Sequence, residues 1–274
     1  MKYDNYTNPD RRHSALIIID VQQDFALGES PTEIPGTLQA AHRIKPLIRV
    51  CRKLCHPIIH VVRLYRADGS NADLCRKKEI ELGKQIVLPG SIGAELLDAL
   101  KPSSSIKLES DLLLSGSLQQ IGPMEWIMYK PRWGVFYNTL LEKHLHDLGV
   151  NTVLICGCNF PNCPRTTIYE ASERDFRAVL IRDGTSAVYD AGLRELKSIG
   201  VSVMSIDQCI AWLNQLKVER TARWAEIPDD LKWDSAKFPK TSLNLHYVMG
   251  IDLVTDCLCL GRSIIWSGDV STFR

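Results

Sequence analysis

Short apolar runs alternate along this chain with longer stretches in which apolar residues recur at helical spacing. Ala15 to Asp20, Pro57 to Leu64, Glu125 to Lys130, Thr152 to Cys158, Arg177 to Asp183 and Val201 to Ser205 are rich in β-branched residues and bounded by turn formers. They predict buried strands. Helices are predicted over Gly36 to Cys55, Gly93 to Leu100, Asn138 to Leu148, Thr166 to Arg174, Ala191 to Ile199 and Ile206 to about Leu216. Strands that alternate with helices are joined by right-handed crossovers into parallel sheets. The expected fold class is therefore α/β: a three-layer, doubly wound, mainly parallel six-stranded sheet with helices on both faces.

Two polar stretches interrupt this pattern. Tyr65 to Leu88 is charged, and Lys101 to Ser117 is rich in serine; both predict excursions over the ligand-binding edge or subunit contacts. The alternation stops near residue 215, so residues 1–215 are expected to form the domain and 216–274 a C-terminal extension of unknown role.

Three polar residues stand where predicted strands end. Asp20 follows Ala15-Leu16-Ile17-Ile18-Ile19, Lys130 follows Trp126-Ile127-Met128-Tyr129, and Cys163 lies between the run ending at Cys158 and the helix expected from Thr166. If the runs are neighbouring parallel strands, all three groups emerge at one sheet edge, the edge at which open α/β sheets bind ligands. Unpaired N–H groups and the dipole of a helix N-terminus stabilise a thiolate and lower its pKa, which points to Cys163 as a nucleophile. The bland alternative, a buried structural thiol, is the reading for the other eight cysteines. Asp20 would be an ordinary turn cap if it stood alone. Beside a nucleophilic thiol it becomes a general base, with Lys130 holding it and favouring the thiolate.

These residues carry a resemblance to a known family. Asp20-Val21-Gln22-Gln23-Asp24-Phe25, Lys130 followed by Gly134-Val135-Phe136, and Cys163 followed by Thr167 resemble, in order, the motifs of the isochorismatase-like cysteine hydrolases, over most of residues 14 to 213. The resemblance implies a catalytic triad of Asp20, Lys130 and Cys163 in a cysteine-dependent amidohydrolase. Cys163 attacks an amide, carbamoyl or ureido carbonyl, an amine leaves, and a thioester is hydrolysed. It implies an oxyanion hole made by the backbone N–H groups of Asn159 and Cys163, with a strained, often cis, peptide entering Asn159, and it implies a homo-oligomer. The rival readings are a vinyl-ether hydrolase of isochorismatase type, which does not need a thiol, and a non-catalytic binding or scaffold protein. Phe160-Pro161-Asn162 before the cysteine and Pro164 after it depart from the usual family phrasing. Proline suits a first helical turn, so the departures bear on the substrate rather than on the nucleophile.

Phe25, Trp133, Phe136 and Tyr137 are candidate pocket walls, and Arg165, with Arg132, a candidate ligand for a substrate carboxylate. Nicotinamidases of this superfamily carry an Asp and His metal cluster, which His42, His56 and His60 do not reproduce, and LYRADGSNADLC after Arg63 has no histidine. No metal and no cofactor are expected. The glycines near the first strand do not form a dinucleotide fingerprint.

Composition narrows the partners. A net charge of +1 from 33 basic and 32 acidic residues gives no sequence-wide attraction for nucleic acid or anionic membrane, and no apolar run reaches the ~18 residues of a membrane helix. A small-molecule substrate is the expected partner. Nine cysteines, an odd number, behind a polar opening MKYDNYTNPDRR favour a cytoplasmic location over a disulfide framework.

Overall fold

A computed structural model describes residues 6–28, 30 and 32–215; the expected extension 216–274 lies outside the described residues. The strands are β1 (Ser14–Ile19), β2 (Ile58–Val62), β3 (Gln119–Gly122), β4 (Glu125–Tyr129), β5 (Thr152–Gly157), β6 (Arg177–Thr185) and β7 (Ser202–Met204). The helices are α1 (Gln23–Ala26), α2 (Thr37–Leu54), α3 (Leu74–Glu81), α4 (Ser110–Leu114), α5 (Leu141–Asp147), α6 (Cys163–Ser172) and α7 (Asp190–Ser198), with a further helix over residues 206–215. One sheet of seven strands has the order β3-β4-β2-β1-β5-β6-β7. Every pairing is parallel except β3 with β4. The sheet is thus mixed, with one strand more than the six expected.

The central strands read as unbroken apolar runs because both their faces are covered. Ala15, Ile17 and Ile19 of β1 pack into one core with Leu141 and Leu145 of α5 and Ile168 of α6. Leu16 and Ile18 pack into the opposite core with Ile44, Leu47 and Ile48 of α2 and Leu213 of the last described helix. A third cluster, including Phe25, Val62, Tyr65, Ile80 and Leu113, lies under the two excursions. No described helix is long and apolar enough to cross a membrane.

The departures from the expected elements have local causes. β3 (QQIG) has a single large apolar residue and half-exposed positions, so it carries no strand signal of its own and forms by pairing with β4. Within the first excursion, α3 (LCRKKEIE) buries only Ile80 and lacks an amphipathic stripe. Gly93 to Leu100 is not the predicted helix: it makes two 3-10 turns, Ile92–Ala94 and Asp98–Leu100. A Cβ at Gly93 would lie 2.1 Å from the Asp24 carboxylate, which accepts from the Val87 N–H at 2.6 Å, so this segment is laid against α1 rather than coiled.

At the sheet's carboxyl edge the backbone is closely fitted. Ile19 pairs with Val61 and Gly157 across β1, and the Cys158 N–H donates to Ile19 O at 2.8 Å. Gly157 has φ 116, and a Cβ there would stand 2.1 Å from Ile19 O. Only glycine lets β5 approach β1 at this point. Gly157→Ala is expected to cost roughly 2–4 kcal/mol through a disfavoured backbone and overpacking, read as a lower urea midpoint; an unchanged midpoint would show that the two strands can separate freely.

Candidate active site

Asp20, Lys130 and Cys163 come together at that edge although their strands are not all neighbours. β1 lies between β2 and β5, and β4 lies beyond β2. Lys130 therefore crosses the end of β2 to reach Asp20, so of the three strand ends only those leading to Asp20 and Cys163 are neighbours. The Lys130 N–H donates to Val62 O at 3.0 Å and the Asp20 N–H to Val61 O at 2.9 Å, fixing both residues to β2. Asp20 takes a left-handed conformation, φ 54, tolerated by aspartate at a cost of about 1 kcal/mol. That conformation ends the strand and turns the chain at the residue carrying the carboxylate.

Lys130 is fully buried. Its Nζ lies 2.9 Å from Asp20 Oδ2, 3.3 Å from Cys163 Sγ and 3.2 Å from Arg132 O. Those three contacts use the three donors of an ammonium. Asp20 Oδ1 is buried and accepts from no described group, so one carboxylate oxygen is held by lysine and the other is left to take a proton.

Cys163 is the first residue of α6, three residues before the helix was expected to start, and Pro164 sits in the first turn. The expected low pKa is overturned. Burial pushes the Cys163 thiol up to about 12; Lys130 pulls it down, and the adjacent Asp20 carboxylate raises it. A helix terminus offers about 0.3–1 kcal/mol and one pKa unit is worth about 1.4 kcal/mol, so the terminus does not offset the desolvation. Burial therefore favours the thiol form of Cys163.

A cavity of about 280 Å³ opens onto the sulfur, lined among others by Asp20, Phe25, Arg63, Trp133, Asn159 and Cys163. The backbone N–H groups of Asn159 and Cys163 have no acceptor among the described residues, whereas those of Cys158 and Phe160 on either side of Asn159 are bonded to Ile19 O and Ser186 O. All described peptide bonds, including that entering Asn159, are trans.

Of the candidate walls, Phe25 and Trp133 line the cavity. Phe136 does not: it is 5% exposed, with its ring 5.6 Å from that of Phe176 in the core. Tyr137 is half exposed elsewhere. Arg165 also lies away from the cavity, bonded to Tyr169, Tyr189 and Glu195 on the outer side of α6. With α6 beginning at Cys163, two residues of helix turn Arg165 about 200° away from the nucleophile.

Sequence reading missed Arg63, Tyr65, Asp73 and Arg76, which all line the cavity. Arg63 follows the apolar run of β2 much as Asp20 follows β1, and that position was the available signal. Its Nη2 lies 2.7 Å from Asp73 Oδ2, an atom that also accepts from Tyr65 Oη at 2.7 Å. Burial pushes the Tyr65 phenol up, so it acts as a donor. Among the described residues no group of three or more His, Cys, Asp and Glu side chains is arranged to hold a metal ion.

A model of the isochorismatase domain matches residues 14–109 and 116–208 of this chain. The chain belongs to the isochorismatase domain family. Within the family it is similar to a probable inactive nicotinamidase of Arabidopsis thaliana, 28% identical over 211 residues covering 75% of this chain and 97% of that protein. A ureidoacrylate amidohydrolase of Methylobacterium radiotolerans is 24% identical over 225 residues, covering 76% of this chain and 78% of that protein. Among solved structures, an isochorismatase family protein of Desulfovibrio vulgaris superposes with a TM-score of 0.62 at 28% identity, over 73% of this chain and 98% of that one.

Proposed function

We propose that this isochorismatase-family chain is a cysteine hydrolase that cleaves a carbon–nitrogen bond of a small amide, carbamoyl or ureido compound through a thioester. The observation that carries this reading is the contact of Lys130 with both Asp20 and Cys163 at the wall of a cavity into which two unpaired backbone N–H groups can donate. The similarity to a ureidoacrylate amidohydrolase supports the bond class. The Arabidopsis relative is named as inactive; in this chain the three polar groups stand in contact, which supports turnover.

Because the thiol rests protonated, Asp20 takes its proton as Sγ attacks the carbonyl carbon. The oxyanion that forms accepts from the N–H groups of Asn159 and Cys163, each such donor lowering the barrier by about 3 kcal/mol. Asp20 returns the proton to the departing nitrogen, so ammonia or an amine leaves and an acyl thioester remains. Asp20 then takes a proton from water, which attacks the thioester and frees the acid and the thiol. Lys130 keeps the carboxylate in place through both halves, and its charge stabilises the sulfur as the proton departs. A vinyl-ether hydrolysis would leave the thiol without a task. A homo-oligomer in the cytoplasm acting on a small molecule, without cofactor, completes the proposal.

The test is a panel of small amides, carbamoyl and ureido compounds scored for ammonia release, with intact-protein mass spectrometry of quenched reactions. Ammonia release together with an acyl adduct on Cys163, both abolished in Cys163→Ala, is the expected result. Release that survives Cys163→Ala, or a panel with neither release nor adduct, would sink the hydrolase and favour the scaffold reading.

A further inference from the structure

We propose that Glu170 is a positioning residue for the triad: from the nucleophile's own helix its carboxylate grips the segment between Lys130 and Phe136 and so holds Lys130 against Cys163. The purpose of that grip rests on the hydrolase reading, whereas the contact itself can be tested without a substrate.

Residues 131–136 belong to no helix or strand, yet two parts of the site depend on them. They supply Arg132 O, the third partner of the Lys130 ammonium at 3.2 Å, and Trp133, a wall of the cavity. The near end is fixed where the Lys130 N–H donates to Val62 O at 3.0 Å. The far end is fixed by Glu170, whose Oε2 accepts from the Phe136 N–H at 2.9 Å.

Glycine makes this grip possible. A Cβ on Gly134 would stand 2.1 Å from the Glu170 carboxylate, so the carboxylate lies directly on the backbone of the segment and reaches the Phe136 N–H over a position that has no side chain.

The carboxylate is not engaged by its helical neighbour. Glu170 and Arg174 stand four positions apart, the spacing of a helical ion pair. Arg174 instead bonds Glu142 Oε2 and the Glu170 backbone O, each at 2.9 Å, which leaves the Glu170 side chain turned to the segment. Burial raises the Glu170 pKa against the pull of the Phe136 N–H, Arg174 and Lys130, so its charge is felt at the triad's lysine.

Helix geometry ties the grip to the nucleophile. Seven residues make two turns of α-helix less about 20°, with a rise of about 10 Å, so Cys163 and Glu170 share one face of α6. One helix therefore carries the sulfur at its start and, two turns on, the hold on the chain that brings Lys130 and Trp133 to it.

The experiment follows iodoacetamide alkylation of Cys163 against pH in the full-length protein by peptide mass spectrometry, with urea unfolding as the check on fold. Lys130 lowers the Cys163 pKa, so a lysine that drifts from the sulfur leaves less thiolate and slower alkylation. Glu170→Leu, which has no acceptor, should slow alkylation roughly tenfold below about pH 9, the worth of about one pKa unit. Glu170→Gln keeps an oxygen for the Phe136 N–H and should stay within about twofold of the parent. Gly134→Ala keeps Glu170 but pushes its carboxylate off the segment; it should match Glu170→Leu, and it carries the test if Glu170→Leu does not fold. Parent-like alkylation in folded Glu170→Leu or in Gly134→Ala would overturn the grip. So would a Gln variant as slow as the Leu one, since charge rather than the bond to Phe136 would then matter. Slowed alkylation in a protein that releases ammonia from no amide would support the grip and count against the hydrolase. Ammonia release by a parent whose variants alkylate at its own rate would overturn the grip and leave the hydrolase standing.

Discussion

Asp20→Asn is expected to fold and to lower kcat/KM for carbon–nitrogen cleavage by roughly 10³- to 10⁴-fold, at the upper end of what a positioned general base contributes. The size follows from the state of the thiol. Burial pushes Cys163 up to about 12, so near neutral pH only a minute fraction is thiolate and attack depends on a base that takes the proton as the bond forms. The amide of asparagine keeps an oxygen for Lys130 but cannot accept that proton at working pH. Losing the carboxylate also removes its share of the upward push on the thiol, but burial, the largest cause, remains. The residual activity should then follow the thiolate fraction. Since that fraction grows as pH rises toward the thiol's own pKa, the variant's rate should climb close to tenfold per pH unit between pH 7 and 9. The parent, in which Asp20 takes the proton as the bond forms, should climb far less. A variant rate flat with pH, or within tenfold of the parent, would mean that Asp20 holds the site rather than moving protons.

That argument also separates what the sequence could tell from what it could not. The two strand ends that matter were legible because β1 and β4 are apolar runs closed by one charged residue: Ile19 before Asp20 and Tyr129 before Lys130. Those two ends, with Cys163, were enough to locate the edge. What β1 pairs with is not legible, because strand order depends on crossovers whose lengths do not name their partners, and so the sequence leaves open whether Lys130 stands on a strand next to that of Asp20 or reaches it across β2. The state of the thiol was equally hidden. A helix start can be read from Pro164, but the desolvation that outweighs it comes from parts of the chain far from Cys163 in sequence. The same holds for the cavity's charges: Arg63 and Asp73 are ten positions apart, and only α3, which buries Ile80 alone, brings the carboxylate back to the guanidinium. Aromatic identity did not separate wall from core either, for Trp133 lines the cavity whereas Phe136, three residues on, is packed against Phe176.

Lys130→Met is expected to abolish turnover and also to destabilise the protein by about 3–5 kcal/mol, the cost of leaving one partner of a buried pair uncompensated. Methionine keeps most of the side chain's volume, so a cavity is not the cause. The cause is Asp20, 3% exposed, whose Oδ2 loses the ammonium at 2.9 Å while Oδ1 already accepts from no described group. The double variant Asp20→Asn with Lys130→Met removes the orphaned charge, and it should recover part of the loss in urea unfolding even though it restores no activity. Two residues in contact that carry one interaction are non-additive in this way. Recovery of stability without recovery of turnover would mark the pair as a charge buried for chemistry, retained at the end of two strands where hydrophobic residues would fold at least as well. If Lys130→Met unfolds at the parent's midpoint, the pair is reached by enough water to screen it. If the double variant is no more stable than Lys130→Met, the lysine is holding the Arg132 carbonyl and the Trp133 wall behind it rather than the carboxylate.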